Sequence, residues 1–449
     1  MEAACMTKVK LIFSTIFIVF ILAFAPHTSV KAYDSGYIGC FDSNKVINVC
    51  FNMPVDFNGD INNYIKVVDC NDKPVEVKLE QSADKISVRV LPPKGGYEQG
   101  EKYSLVFEKG IKPIIGEPLK NKTIKTFKIN KTLYVSEQKC AGVEDGSFEK
   151  PYTSIDKVVS NAEPGTTIYL RGGKYCGFTI ANKNGSENDY YVIKNYPGET
   201  VELCGRNHGK VGITIHNSSY WKIEGIDIHD YLDCGIYVAN GSNHIQMNNL
   251  KIWNIDEVSD SRYGKMAIEG ENNTSYCTVS NCILHDIGQH RKLGLDHGIY
   301  LTKNARSWTI ENNDIYNCAG VAIHIAGSHA GRDCIIKNNK LHDNDYHGME
   351  IASNSDNNQI IGNKFYGNKN CDVYIKEASC GNVFKYNTFG SSNSTYNIAF
   401  EDESSRNNVF DYNKYIKADT NRAIRLFNGT ISFDKWKALS QEANGQLIR

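Results

Sequence analysis

The chain of 449 residues holds 14 cysteines, yet no two form a CxxC pair, which argues against a zinc module. Neither sign of charge dominates. Lys plus Arg number 50 and Asp plus Glu 51, which excludes the global basic field that holds nucleic acid; a charged ligand must be met locally. No apolar run reaches the roughly twenty residues of a membrane span. The longest, residues 11–25, follows Lys8 and Lys10 and precedes the small-residue stretch Val30, Lys31, Ala32, the pattern of a secretory signal cut after Ala32. Removing residues 1–32 leaves thirteen cysteines, an odd number that argues for small apolar fillers, with Cys318 and Cys334 or Cys277 and Cys282 as optional bridges. Helical periodicity is scarce, and the leucine spacing of leucine-rich repeats is absent.

Residues 33–130 alternate apolar and polar positions in short runs such as VINVCFN, IKVVDC, VEVKL, ISVRV and YSLVFEKG, separated by Asn, Asp, Gly and Pro turns. That is the pattern of a small all-β sandwich. The runs at 49–57 and 91–111 and the closing IKTFKI resemble the bacterial Ig-like domain of S-layer and surface proteins, which implies a spacer or carbohydrate-adhesion role.

Beyond residue 131 a period appears. The motifs GITI, GIYV, AIEG, GIYL, AIHI, GMEI, DVYI and NIAF place Ile213, Ile236, Ile268, Ile299, Ile323, Met349, Val373 and Ile398 at intervals of 23, 32, 31, 24, 26, 24 and 25. A second column, Ile228, Ile252, Leu284, Ile315, Leu341, Phe365, Phe389 and Tyr415, keeps the same order. Asn249, Asn281, Asn312 and Asn338 form one polar ladder and Asn313, Asn339, Asn363, Asn387 and Asn413 its neighbour. Asn tolerates the left-handed backbone of a tight turn and can bond from coil to coil. Units of this size cannot bury an apolar face alone and must stack.

This pattern resembles the right-handed parallel β-helix of polysaccharide lyases, pectin-degrading hydrolases, epimerases and some tailspikes, over about residues 132–449. The opening at 145–175 resembles that of many such carbohydrate-active proteins. A short helix at 154–162 and a strand at 167–171 follow, and ISFDKWKALSQ reads as a capping helix with Ser432 at its N-cap. The expected architecture is therefore all-β: a signal at 1–32, an Ig-like sandwich at 33–130, and a right-handed parallel β-helix solenoid at 131–449 with a capping helix at each end.

Alternation along a strand sends Tyr300 and Thr302 outward when Ile299 and Leu301 enter the core. The same assignment puts Tyr237, Glu269, Tyr300, His324, Glu350 and Tyr374 in one outward column, about 24 Å long at a coil spacing of about 4.8 Å. Extra residues at 256–265, 288–297 and 327–332 border this column and bring Asp256, Glu257, Asp260, Arg262, Lys265, His290, Arg291, Lys292, Asp296, His297, His329 and Arg332 toward it.

The expected function is a secreted or cell-surface bacterial protein acting on a polysaccharide, most simply a lyase that cleaves a uronic-acid glycan by β-elimination. The candidate catalytic set is Lys265, Asp296, His297 and Tyr300. Lys265, crowded by Arg262 and Arg291, would be a base of lowered pKa. Candidate substrate contacts are Tyr237, Glu269, Arg291, Lys303, His324, Arg332, Glu350 and Tyr374. A glycosidase would instead use Glu269 and Asp296, although the NTD, DD and RIK motifs of pectin-hydrolysing β-helices are absent, as is a match to the lysine-plus-aspartate set of calcium-dependent pectate lyases. Asp230, Asp233, Asp256 and Asp260 are candidates for Ca²⁺, without the spacing of a calcium loop. A third reading is a non-catalytic glycan-binding surface protein. In each, the partner is a polysaccharide and not a nucleic acid, the mature chain is a monomer, and it inserts in no membrane.

Overall fold

The computed structural model describes residues 19–22, 36–205, 209–256, 264–288, 294–327, 331–390, 396–416, 423–439 and 441–448. The chain divides into two compact units, Met1–Lys131 and Thr132–Arg449.

In the first unit a five-stranded sheet contains Tyr37–Phe41, Ile65–Asp69, Pro74–Val75, Lys102–Phe107 and Thr123–Ile129, and a four-stranded sheet contains Ile47–Phe51, Lys78–Gln81 and Ser87–Leu91. Alternating residues such as Val49, Val88, Leu105 and Phe127 give both sheets one shared core. The expected signal segment lies outside the described residues except Val19–Leu22, the fourth strand of the second sheet, which runs parallel to Ile47–Phe51. No helix among the described residues is long and apolar enough to cross a membrane.

The second unit is a parallel β-helix with three sheets of eleven strands each. From Thr166 to Leu426 every coil contributes one strand to each sheet. The third sheet carries the motif column in continuous register, Ile213, Ile236, Ile268, Ile299, Ile323, Met349, Val373 and Ile398 pairing coil by coil. The second sheet does the same for the column from Ile228 to Tyr415. A further column on the first sheet, including Ile223, Met247, Val279, Ile310, Ile336 and Phe384, closes the core. The glycine opening GIYV and GIYL is required by close approach: a Cβ on Gly298 would lie 2.6 Å from the Ala322 carbonyl and 2.5 Å from Ile315.

The two asparagine ladders do separate jobs. Asn249, Asn281, Asn312 and Asn338 take left-handed φ of 53°, 55°, 58° and 57° at the turn. Asn313, Asn339, Asn363, Asn387 and Asn413 are buried, and each side-chain amide donates to the next one's Oδ1 at 2.9–3.1 Å. The second amide hydrogen goes to a core strand carbonyl, as in Asn363 to Ile336 at 2.8 Å. The file ends on Glu442, which accepts from Asn413 Nδ2 at 2.6 Å and from the Tyr415 hydroxyl at 2.7 Å.

The helix Ile155–Asn161, N-capped by Ser154, packs Val158 and Val159 into the core, as does Phe433–Ala438, capped by Ser432, with Phe433 and Trp436. The optional disulfides are corrected: all thirteen described cysteines are free. The Cys277 and Cys334 thiols point at backbone carbonyls of Ser275 and Arg332, and burial pushes both up to about 12, the chemistry of inert fillers.

Candidate functional site

The outward column of the third sheet is in unbroken register: Tyr237 faces Glu269, then Tyr300, His324, Glu350 and Tyr374 follow on successive coils. On it lies a cleft of about 590 Å³ whose lining includes Asp233, Tyr237, Glu269, Glu271, His297, Tyr300, Lys303 and His324. Of the residues singled out in the sequence, the cleft thus gathers Tyr237, Glu269, His297, Tyr300, Lys303 and His324. Arg291, with the middle of each of the three extra loops, lies outside the described residues.

Glu269 is the electrostatic centre of this cleft. Burial, reinforced by the neighbouring Glu271 and opposed by Lys303, pushes its carboxyl from the ordinary 4.5 up to about 7. Glu271, two residues on and therefore on the same face, accepts from the Tyr237 hydroxyl and is paired with Lys303 Nζ at 2.5 Å. Burial first, and that bond second, raise the Tyr237 hydroxyl well above its usual range, so it stays protonated. Lys303 is held as a cation by Glu271.

Behind the cleft runs a buried histidine relay. The Val321 amide donates to His297 Nδ1 at 3.4 Å, which leaves the proton on Nε2, 3.0 Å from His324 Nδ1. His324 Nε2 then faces Glu350 Oε1 at 3.4 Å, ion-pair distance without hydrogen-bond alignment. Burial, then His324, keeps His297 neutral well below the usual imidazole value. Burial acts to raise the Glu350 carboxyl, but the His324 contact and the charges of His324, His347 and Lys376 outweigh it and hold the group down at about 2.

Five expectations are corrected. Lys265 is 3% exposed and pairs with Asp233 at 2.8 Å, an ion pair in place of the neutral amine that proton abstraction requires. Asp296 is 1% exposed, and its Oδ1 accepts the Lys265 amide at 2.8 Å, so it is no partner carboxyl for Glu269 across a sugar. Glu350 is buried in the relay and offers no groove surface. Arg332 belongs to the turn into the first sheet, where it bridges to Arg306 and donates to Asn304. Tyr374 is in the column but stacks on His347 at 4.7 Å, beyond the cleft lining.

The Ca²⁺ candidates fare no better. Asp233 is bound to Lys265, and Asp230 has a thiol and an imidazole as neighbours, Cys204 Sγ at 3.5 Å and His229 Nδ1 at 3.0 Å, where a hard cation requires oxygen ligands. Asp260 lies outside the described residues. Asp230 and Asp233, with these partners, therefore do not form a calcium site.

Sequence reading missed Glu271, although EGE in Glu269–Gly270–Glu271 carried it by alternation, and took Asp233 only as a Ca²⁺ candidate. It also missed a ladder on the second sheet: His229, Trp253, His285, Tyr316, His342 and Tyr366 stack ring on ring at 4.4–6.1 Å within 16° of parallel. Each follows a core residue of the second column by one position. Because the rings cover one another's faces, the ladder stabilises the stack of coils.

Residues 133–294 match the family model described as Pel9A-like, right handed beta helix region, and residues 297–435 that described as right handed beta helix region. The chain is 24% identical over 304 residues to the Bacillus subtilis protein YwoF, covering 54% of this chain and 64% of that protein. It is 28% identical over 130 residues to pectate lyase PEL9 of Emericella nidulans, covering 25% and 31%. The matched stretches thus span less than two-thirds of these relatives' length. The crystal structure of pectate lyase Pel9A superposes with a TM-score of 0.48 at 15% identity, over 65% of this chain and 78% of that one.

Proposed function

Starting from a chain that belongs, over residues 133–435, to the right-handed β-helix families, we propose that it is an exported polysaccharide lyase that cleaves a uronate-containing glycan in the third-sheet cleft. The observation that carries this reading is Glu269, a carboxyl brought to about 7 beside a lysine and two tyrosines. A base is most effective when its pKa lies near the working pH. Similarity to a pectate lyase supports the substrate class.

In the reaction, the Glu269 carboxylate takes the proton on the carbon α to the uronate carboxylate. Lys303 stands by that carboxylate and stabilises the charge that develops on it. The electron pair forms the carbon–carbon double bond as the glycosidic C–O bond breaks, and the leaving oxygen takes a proton from the Tyr300 hydroxyl on the adjacent coil. His297 and His324 position Tyr300 from behind, with ring centroids 5.2 and 5.0 Å from its own. The N-terminal sandwich acts as an Ig-like spacer or adhesion module, and the mature protein works as a monomer at or outside the cell surface.

A second reading rests on the carboxyl pair: Glu269, protonated near neutrality, as general acid and Glu271 as its partner would serve a glycoside hydrolase. Incubation with a panel of polyuronates separates the two. The lyase reading expects ultraviolet absorbance from an unsaturated product, abolished in Glu269→Gln and reduced at least 100-fold in Tyr300→Phe. New reducing ends without that absorbance favour hydrolysis, and neither signal across the panel refutes both.

A further inference from the structure

The corner between the second and third sheets brings together Cys204 from one coil and His229 and Asp230 from the next, their ligand atoms all within 4.8 Å of one another. We propose that this corner is a binding site for Zn²⁺ or a similar borderline transition metal, independent of the reaction in the cleft. A thiol, an imidazole and a carboxylate are a zinc ligand set, and a hard ion such as Ca²⁺ would not select the first two. The spacings suit it. A tetrahedron with Zn–S of about 2.3 Å and Zn–N or Zn–O of about 2.0–2.1 Å has edges of about 3.3–3.6 Å. Here Cys204 Sγ is 3.5 Å from Asp230 Oδ2, inside that range, and His229 Nδ1 is 3.0 Å from the same oxygen, so that edge must open by a few tenths of an ångström.

The surroundings supply a second, independent observation. His229 Nε2 is 3.3 Å from Glu202 Oε2, so a carboxylate accepts from the far ring nitrogen and turns Nδ1 toward Cys204 and Asp230. Glu202 is itself fixed by Lys174 at 2.9 Å. A metal-bound histidine usually has such a carboxylate behind it. Trp253 stacks on the His229 ring at 4.4 Å, and Asn254 Nδ2 donates to Asp230 Oδ1, so both ligands are held in place from outside. Three protein ligands leave the fourth position of the metal to water.

The site is tested on the full chain. Purified with Zn²⁺ and desalted, it is expected to retain one equivalent by plasma mass spectrometry. Loaded with Co²⁺, it is expected to give a thiolate-to-cobalt charge-transfer band. Both signals are expected to vanish in Cys204→Ser and to persist in Cys70→Ser, an exposed thiol of the first unit. Glu202→Gln, which keeps all three ligands, is expected to weaken Zn²⁺ by about 10–100-fold in a competition titration. A folded wild-type chain without the band, a band unchanged in Cys204→Ser, or tighter binding of Ca²⁺ than of Zn²⁺ would overturn the proposal.

Discussion

Replacing Glu269 by Gln should make the protein more stable at alkaline pH, although it removes the group assigned to catalysis. In the folded chain the carboxyl titrates at about 7 against an ordinary 4.5. The folded state therefore binds a proton between these values that the unfolded state releases. Below about 4.5 both states are protonated and no penalty applies; as pH rises through the folded value the full cost of a half-buried, poorly compensated charge appears. At about 1.36 kcal/mol per unit, the penalty approaches ~3 kcal/mol at pH 8 and is only ~1 kcal/mol at pH 5. Gln keeps the shape of the neutral acid. Urea unfolding of wild type and Glu269→Gln at both values should thus show the variant gaining ~2 kcal/mol more at pH 8 than at pH 5. An equal difference at the two values, or a variant less stable at pH 8, would refute the half-buried, poorly compensated carboxyl on which the proposed chemistry depends.

Other consequences can be measured alongside. If Glu269 is the base, kcat/KM on a polyuronate should rise with pH through an apparent value of about 7, whereas a general-acid role gives a fall over the same range. Lys303→Ala should raise KM for an acidic glycan and leave KM for a neutral one unchanged; equal effects on both would remove the carboxylate from its role. Asn363→Ala strips the acceptor from the Asn339 backbone amide and side chain, both at 2.9 Å, and should cost about 2–5 kcal/mol in denaturant unfolding; a loss under ~1 kcal/mol would mean that water replaces the ladder. Gly298→Ala should destabilise the solenoid, read as a lower melting temperature, because its methyl would meet the Ala322 carbonyl at 2.6 Å.

The solenoid was legible because its constraint is periodic. A core residue recurs once per coil per sheet, and Ile213 through Ile398 announce one column by spacing alone. The outward column from Tyr237 to Tyr374 followed from alternation, and its register is the one observed. What alternation does not supply is direction at the strand ends. Lys265 and Asp296 stand at the corner before their strands, where the chain turns, and there their side chains bond to Asp233 and to the Lys265 amide and do not enter the cleft. Nor does sequence spacing reveal ligands that meet across coils: Cys204 and Asp230 are neighbours through a 26-residue separation, far outside any metal motif. The ring ladder on the second sheet escaped because it alternates His with Tyr and Trp, so no single residue type repeats.

The asparagine file described above has a head and a tail. Every amide hands one hydrogen forward to the next side-chain oxygen, from Asn313 toward Asn413, and no side chain of the file hands one back to the side chain before it. A queue of donors facing one way needs a final taker with nothing to give, and Glu442 fills that office. An interior coil can therefore be duplicated or lost without breaking the grammar of the queue, since each newcomer both receives and gives, whereas the terminus tolerates no such exchange. Glu442→Lys would put a giver where only a taker fits, and the stack would unravel from that end first.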